Sequence, residues 1–151
     1  MRSSNLRVTK RFTDHDKDHF LQEAFDYIAK FFENSLELAN RNPGVEGKFR
    51  HIDANRFSAV AYRDGRSVAR CSIRLGDRSG FAAGITYSHN DSAADGSFNE
   101  NLSVENDDQA LYLKPLGMST IGRGGRTEEK LSSEGGAELY WGLFIEPLQR
   151  R

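Results

Sequence analysis

The chain has 151 residues, one cysteine and a formal net charge of −1. That length predicts one domain, large enough to bury a core that needs no disulfide or metal to stabilise it. A single cysteine excludes an internal disulfide. No apolar run approaches the roughly 20 residues of a membrane helix, and residues 1–12 lack the apolar segment of a signal peptide. We therefore expect a cytoplasmic protein with no membrane contact.

A long helix is predicted after an N-terminal arm. The arm, residues 1–12, alternates apolar and polar residues at its end and is a candidate edge strand. Thr13 and Asp16 have the spacing of a capping box, and apolar residues then recur every three or four positions until Pro43 ends the helix. This stripe is typical of a helix that packs on a sheet. The alternative is an internal cavity between helix and sheet, lined by Tyr27, Phe31 and Phe32.

Residues 56–75 predict a β-hairpin. Two β-rich runs flank Asp64-Gly65, a dipeptide that favours a type I′ turn. A regular two-residue hairpin has Val60 opposite Ala69, which puts an apolar set of side chains, including Cys71, against the core. The opposite face then carries Phe57, Arg63, Arg66, Arg70 and Arg74.

The remaining segments complete an α+β pattern. Four further strands are predicted at residues 47–54, 81–89, 97–105 and 110–116. Residues 117–127 are predicted to form a flexible glycine-rich loop. A C-terminal helix is predicted to begin near Ser133 and to stop at Pro147. Short connections favour antiparallel pairing. The sequence thus predicts one domain, residues 1–151, with a twisted antiparallel sheet of five to six strands and both helices packed on one face.

The arginine-rich sheet face is the leading candidate for a binding site. Residues 48–78 hold eight bases and three acids, whereas residues 79–113 hold six acids and no base. Guanidinium groups suit carboxylates and phosphates because their donors fork in one plane. The alternative is that the arginines are solvated, or are neutralised by acidic neighbouring strands.

The glycine-rich loop is a second candidate for anion binding. Gly117 and Gly122 have the gap of a P-loop, but Arg123-Gly124 replaces the Lys-Ser/Thr pair. Backbone nests bind anions without the full motif, and Arg123 and Arg126 are then the binding residues. The alternative is a connection with no binding role.

Catalytic and metal-binding patterns are weak. His89 with Glu100, and His51 with Asp53, are the candidate acid–base pairs, and neither spacing is specific. No HExxH or EF-hand pattern is present, so the sequence predicts neither a metal nor a cofactor.

The sequence therefore favours a non-catalytic binding or regulatory module over an enzyme. Its arginine-rich face is predicted to contact an acidic protein, an anionic ligand or nucleic acid. The alternative is a small enzyme or ligand-binding fold with a cavity between the long helix and the sheet. A homodimer that buries the open sheet face is a third hypothesis.

Overall fold

The domain consists of two helices and a six-stranded sheet. The computed structural model describes residues 9–77, 83–89, 99–117 and 129–149. The elements are α1 (Asp14–Ala39), β1 (Val45–Asp53), β2 (Arg56–Arg63), β3 (Arg66–Leu75), β4 (Ile85–Ser88), β5 (Glu100–Asn106), β6 (Leu111–Pro115) and α2 (Ser133–Gln149). The predicted α+β class and the predicted order of elements are confirmed.

The sheet is an antiparallel meander in which each strand pairs with the next one in sequence. Beyond β6, Leu131 pairs with Leu113 through two backbone hydrogen bonds of 2.8 Å. The two helices pack on each other and share one face of the sheet, as the sequence predicts. The strands predicted at 81–89 and 97–105 are observed over shorter spans, and residues 78–82 and 90–98 lie outside the described part.

The start of α1 is fixed by the predicted capping box. The Asp16 amide donates to Thr13 Oγ1 at 3.1 Å, and the Thr13 amide donates to Asp16 Oδ2 at 2.9 Å. Hydrogen bonding to the carboxylate by the Thr13 amide, and next by the Thr13 side chain, lowers the pKa of the Asp16 carboxyl. Residues 9–12 do not form the edge strand considered above, although the Lys10 amide donates to the Asp108 carbonyl at 2.9 Å. Residues 1–8 are not described.

The end of α1 is tied directly to the first strand. Asn40 Oδ1 accepts a 2.6 Å hydrogen bond from the Gly47 amide. A Cβ atom on Gly47 would lie 2.6 Å from Leu36 Cδ2, so helix and strand approach closely at this point. The turn between them contains Gly44, whose φ of +80° suits glycine. This connection sets where α1 begins to cross the sheet.

An aromatic cluster fills the layer between the helices and the sheet. Phe32 and Phe57 are both fully buried, and their ring centroids lie 5.4 Å apart. Phe32 also contacts Trp141 and Phe144 of α2, at 5.3 and 5.7 Å. Such pairs contribute roughly 0.5–1.5 kcal/mol each beyond the burial of their area. Side chains thus fill the layer around Phe32, one of the residues considered for a cavity wall.

The hairpin turn forms as predicted, but the predicted register is wrong. Asp64 and Gly65 have φ of 51° and 83°, which fits the primed turn. A β-bulge follows, because Tyr62 pairs with Ser67 whereas Ala61 pairs with Ala69, which leaves Val68 as the extra residue. From this point Ala59, and not Ser58, lies opposite Cys71. The bulge therefore shifts the two strands by one residue and exchanges the faces predicted for much of β2.

Helix α2 differs from its prediction at one end. It begins at Ser133 as expected but continues through Pro147 to Gln149, so the predicted stop is wrong. Proline removes one backbone donor, and in the last turn this costs a single hydrogen bond. Gly136 marks a close approach, since a Cβ atom there would lie 2.9 Å from Leu113 Cδ1.

Two glycines provide a matched test of this backbone. Gly84 has a φ of +85°, and a Cβ atom there would collide with the carbonyl oxygen of Leu102 on β5. We expect Gly84→Ala to lower the free energy of unfolding by more than about 1 kcal/mol. Gly142→Ala is the control, because Gly142 lies in α2 with no atom close to its Cβ position. It should gain up to about 1 kcal/mol.

Chemical denaturation of the two variants measures both effects. A Gly84→Ala variant as stable as Gly142→Ala would contradict the positive-φ geometry at the start of β4.

Candidate functional site

The candidate site is the face of the sheet opposite the helices, which we call the open face. Phe49, Phe57 and Ile73 point toward the helices. Because side chains alternate along a strand, their neighbours point the other way. Within the described residues, no helix covers this open face, and the sequence predicted an open face of this kind.

A row of small hydroxyl side chains crosses the middle of the open face. Pairing places Arg50 opposite Ser58, Ser58 opposite Ser72, and Ser72 opposite Ser88. The three serines, which we call the hydroxyl row, are only 7–8% exposed. Adjacent strands lie about 4.8 Å apart, so the row spans roughly 10 Å from β2 to β4. Arg50 on β1 stands at one end of it.

Long basic side chains flank the hydroxyl row on both sides. On one side Lys48 pairs with Val60, which pairs with Arg70; on the other, Arg56 pairs with Arg74. Lys48, Arg50 and Arg70 are exposed, while Arg56 and Arg74 are half-buried. We call the following five residues the basic patch: Lys48, Arg50, Arg56, Arg70 and Arg74. The patch and the hydroxyl row together form a shallow trough with a hydroxyl floor and basic walls.

One arginine side chain of the trough, that of Arg70, is oriented by a hydrogen bond, whereas at Arg74 it is the backbone that is bonded to the next strand. Arg70 Nε donates to Ser67 Oγ at 2.9 Å, which orients the guanidinium group. Thr86 Oγ1 donates to the carbonyl oxygen of Arg74 at 3.5 Å, a long bond that crosses from β4 to β3. A patch whose side chains are partly oriented loses less conformational entropy when it binds.

The aromatic side chains of the open face are already in contact with cations. Lys48 Nζ lies 5.8 Å from the ring centroid of Tyr62, and Lys130 Nζ lies 5.2 Å from that of Tyr112. These are cation–π distances. Each ring thus already has a lysine as a neighbour, and the trough between the basic residues is lined by charged and hydroxyl groups rather than by aromatic rings.

The structure separates the five residues predicted for the arginine face. Arg70 and Arg74 lie on the open face as predicted. Phe57 is fully buried on the helix side, so its predicted placement is wrong. Arg63 lies on the helix side, where its guanidinium donates to the carbonyl oxygen of Leu148 in α2.

Arg66 is paired with Arg63 at the hairpin tip and so belongs to the helix side as well. The bulge at Val68 is the physical reason for this division. It shifts the in–out alternation of side chains along β3 by one residue, so Arg66 at the tip and Arg70 toward the base lie on opposite faces of the sheet. Arg123 and Arg126 lie outside the described residues.

The structure places His89 and Glu100 on either side of Tyr87. Tyr87 pairs with Glu100 across β4 and β5, and the Tyr87 hydroxyl lies 3.3 Å from His89 Nδ1. His89 is exposed, and its amide donates to Asn99 Oδ1 at 2.8 Å. A buried tyrosine thus lies between the two members of the predicted acid–base pair.

Glu100 is fully buried and holds backbone amides. Its Oε1 accepts a 2.9 Å hydrogen bond from the Asn101 amide and a 3.1 Å hydrogen bond from the Gly117 amide. Nearby, the Tyr140 hydroxyl donates to the Ile85 carbonyl. Burial raises the pKa of Tyr140 well above its usual value, and Glu100 adds to this shift because it disfavours a second negative charge. Burial likewise raises the pKa of Tyr87.

The second predicted pair has local roles in the structure. The His51 ring packs edge-on against Phe49 at 4.8 Å, and Asp53 Oδ1 accepts a 2.8 Å hydrogen bond from the Asn55 amide in the turn before β2. Among the residues the structure describes, no three His, Cys, Asp or Glu side chains converge as metal ligands would. No helix within these residues has the length and apolar character needed to cross a membrane.

Sequence reasoning did not single out Lys48, Arg50 and the hydroxyl row. The signal was available, because Lys48 and Arg50 alternate with Gly47 and Phe49 in a predicted strand. Treating Phe49 as a core residue would have placed both bases on the open face. The hydroxyl row depends on pairing across three strands, and the bulge that sets this pairing has no sequence signature.

Comparisons with known proteins identify a family. Residues 46–146 match a family model described as the Y4lF protein domain, which covers the sheet and most of α2. The chain is also 52% identical over 149 residues to a protein of Sinorhizobium fredii (strain NBRC 101917 / NGR234) named "Uncharacterized protein y4lF". The alignment covers 98% of this chain and 45% of the relative, so the chain spans less than half the relative's length. No solved structure matches the chain.

Buried Glu100 allows a test of its structural role. We expect Glu100→Ala to lower the free energy of unfolding by about 1–3 kcal/mol, because the buried Gly117 amide would lose its acceptor. Glu100→Gln retains an oxygen acceptor and should cost less. Glu105→Ala, an exposed position on the same strand, is the control. Denaturant unfolding that showed equal losses for Glu100→Ala and Glu105→Ala would contradict this role.

Proposed function

We propose that this chain, which belongs to the Y4lF protein domain family, is a non-catalytic binding or regulatory module whose basic patch contacts an anionic partner. The observation that carries the proposal is the pairing of Arg50, Ser58, Ser72 and Ser88 in one row between basic rows. Hydroxyl and guanidinium donors on one surface suit carboxylate and phosphate oxygens.

The charge of the open face supports this proposal. The basic patch supplies five cationic side chains, while the acids whose strand register puts them on the same face are Glu46, Asp53 and Glu105. Of these three acids, Asp53 pairs directly with Arg56, so the patch keeps an excess of basic residues. The net charge of the whole chain is −1, so the chain as a whole does not attract anions. Any such attraction must therefore be local, and local positive potential raises the association rate of an acidic partner.

An acidic protein surface fits the trough better than a single-stranded nucleic acid. Sequence-tolerant binding of single strands relies on aromatic rings that stack with bases. Tyr62 and Tyr112 already contact Lys48 and Lys130. Carboxylates need only the charged and hydroxyl donors that the trough presents. Nucleic acid and small anionic ligands are therefore the less favoured partners within this proposal.

The buried polar groups support a non-catalytic role. Glu100, the acid in the predicted catalytic pair, is fully buried and accepts hydrogen bonds from two backbone amides. Cys71 is buried as well, and a free buried thiol is in keeping with a reducing compartment. We accordingly propose that the module acts in the cytoplasm.

A pair of double variants tests the proposed surface. Arg70→Ser with Arg74→Ser removes two charges from the basic patch, and Arg41→Ser with Arg66→Ser removes two exposed charges outside it. The probe is fluorescent polyglutamate, followed by anisotropy at low salt, with a labelled single-stranded oligonucleotide in parallel. We expect the patch variant to bind polyglutamate about tenfold or more weakly, since hydrogen bonds to charged groups contribute roughly 1.5–3 kcal/mol. The control should bind as the wild type does.

Equal binding by the two variants, or no binding of either probe by the wild type, would rule out the basic patch as the contact surface. Tighter binding of the oligonucleotide, with affinity falling steeply as salt is raised, would move the proposal to nucleic acid.

A further inference from the structure

The outer surface of α1 carries an acidic stripe. Its inner side is buried through residues such as Phe25, Ile28 and Phe32. At 100° per residue, four acids fall together on the side facing away from the sheet. We call these residues the acidic stripe: Glu23, Asp26, Glu33 and Glu37. Three of them are exposed and Glu33 is half-buried, and Lys30, which is 3.1 Å from Glu33, is the base among them.

The acidic stripe and the basic patch lie on opposite sides of the molecule. Helix α1 packs on one face of the sheet, and the basic patch lies on the other. The sheet therefore separates two surfaces of opposite charge. This arrangement explains how a chain with a net charge of −1 contains two strongly charged faces.

The width of a helix is close to that of the basic patch, although the acidic stripe is longer than the patch. The acidic stripe covers 14 residue steps of helix, or about 21 Å. The basic patch is three strands wide, which is roughly 10 Å, and four residue steps long from Arg70 to Arg74, which is roughly 13 Å. An α-helix with its side chains is about 10–12 Å wide, so one stripe fits across one patch.

We propose that the anionic partner of the basic patch is the acidic stripe of α1 on a second copy of this chain. This inference rests on the proposed function and names its partner. The basic patch and the acidic stripe belong to the same chain. Wherever the protein is present, the stripe is therefore present at the same concentration as the patch. The contact joins two different surfaces and is therefore heterologous.

A heterologous contact between opposite sides of a molecule does not close on itself as a twofold dimer does. Each added copy presents a new basic patch at one end and a new acidic stripe at the other. Association should therefore be open-ended, dependent on protein concentration and sensitive to salt. Charges at the contact are screened over about 30 Å at 0.01 M ionic strength but over only about 3 Å at 1 M.

Two charge-reversed variants of the whole chain separate the surfaces. The patch variant is Lys48→Glu with Arg50→Glu, and the stripe variant is Asp26→Lys with Glu37→Lys. The control is Asp108→Lys with Glu138→Lys, which changes the net charge as the stripe variant does at exposed positions outside the stripe. Sedimentation velocity at about 0.01 M and 1 M salt measures the mass distribution of each protein.

We expect the wild type and the control to form species larger than dimers at low salt and to be monomeric at high salt. Each surface variant alone should be monomeric. An equimolar mixture of the two should form a dimer and nothing larger, because only one intact patch and one intact stripe can meet. Circular dichroism of each variant confirms that it is folded.

A wild type that stays monomeric at low salt would overturn the inference, and so would a surface variant that associates as the wild type does. Polyglutamate binding distinguishes this failure from that of the proposed function. If the wild type is monomeric but binds polyglutamate through the patch, the second copy is excluded and the anion-binding patch stands. If the Arg70→Ser, Arg74→Ser variant binds polyglutamate as well as the wild type does, the proposed function fails too.

Discussion

The aromatic layer between helices and sheet decides which surface of this protein faces outward. Phe57 on β2 contacts Phe25 and Phe32 of α1, and Trp141 and Phe144 of α2 join the same cluster. Burial of these rings selects one of the two sheet faces for the helices, because side chains alternate along a strand. The five residues of the basic patch lie on the open face because their neighbours in sequence point toward the helices. The basic patch is in this sense a consequence of how the core packs.

The same layer explains why charge is sorted across the molecule. Helix α1 buries a wide apolar stripe, so its acidic residues are confined to the opposite side of the helix. The strands bury every second residue, so their bases lie on the open face except at the hairpin tip, where Arg63 and Arg66 belong to the helix side. A chain with nearly balanced charges thereby acquires two faces of opposite sign. The hydroxyl row adds hydrogen-bond donors to one of these faces only.

Local chemistry made much of the fold predictable, and pairing between strands limited the rest. The capping box of Thr13 and Asp16, the Asp64-Gly65 turn and the α+β order depend on residues close in sequence, and all are confirmed. The faces of the hairpin depend on one extra residue at Val68, which no turn rule specifies. The site was predictable only where side chains were assigned to the correct face of the sheet, as they were for Arg70 and Arg74. Pro147 shows the same limit, because its cost depends on its place within α2.

The bulge at Val68 makes one hairpin serve two layers. At the tip, Arg63 reaches the last turn of α2, where a cation is favourable beside free carbonyl groups. At the base, Arg70 and Arg74 face the opposite side of the sheet. Arginines a few residues apart thus lie in unrelated environments, one against α2 and the other on the proposed contact surface. Over evolutionary time the hairpin tip can diverge with α2 while the base diverges with whatever it binds.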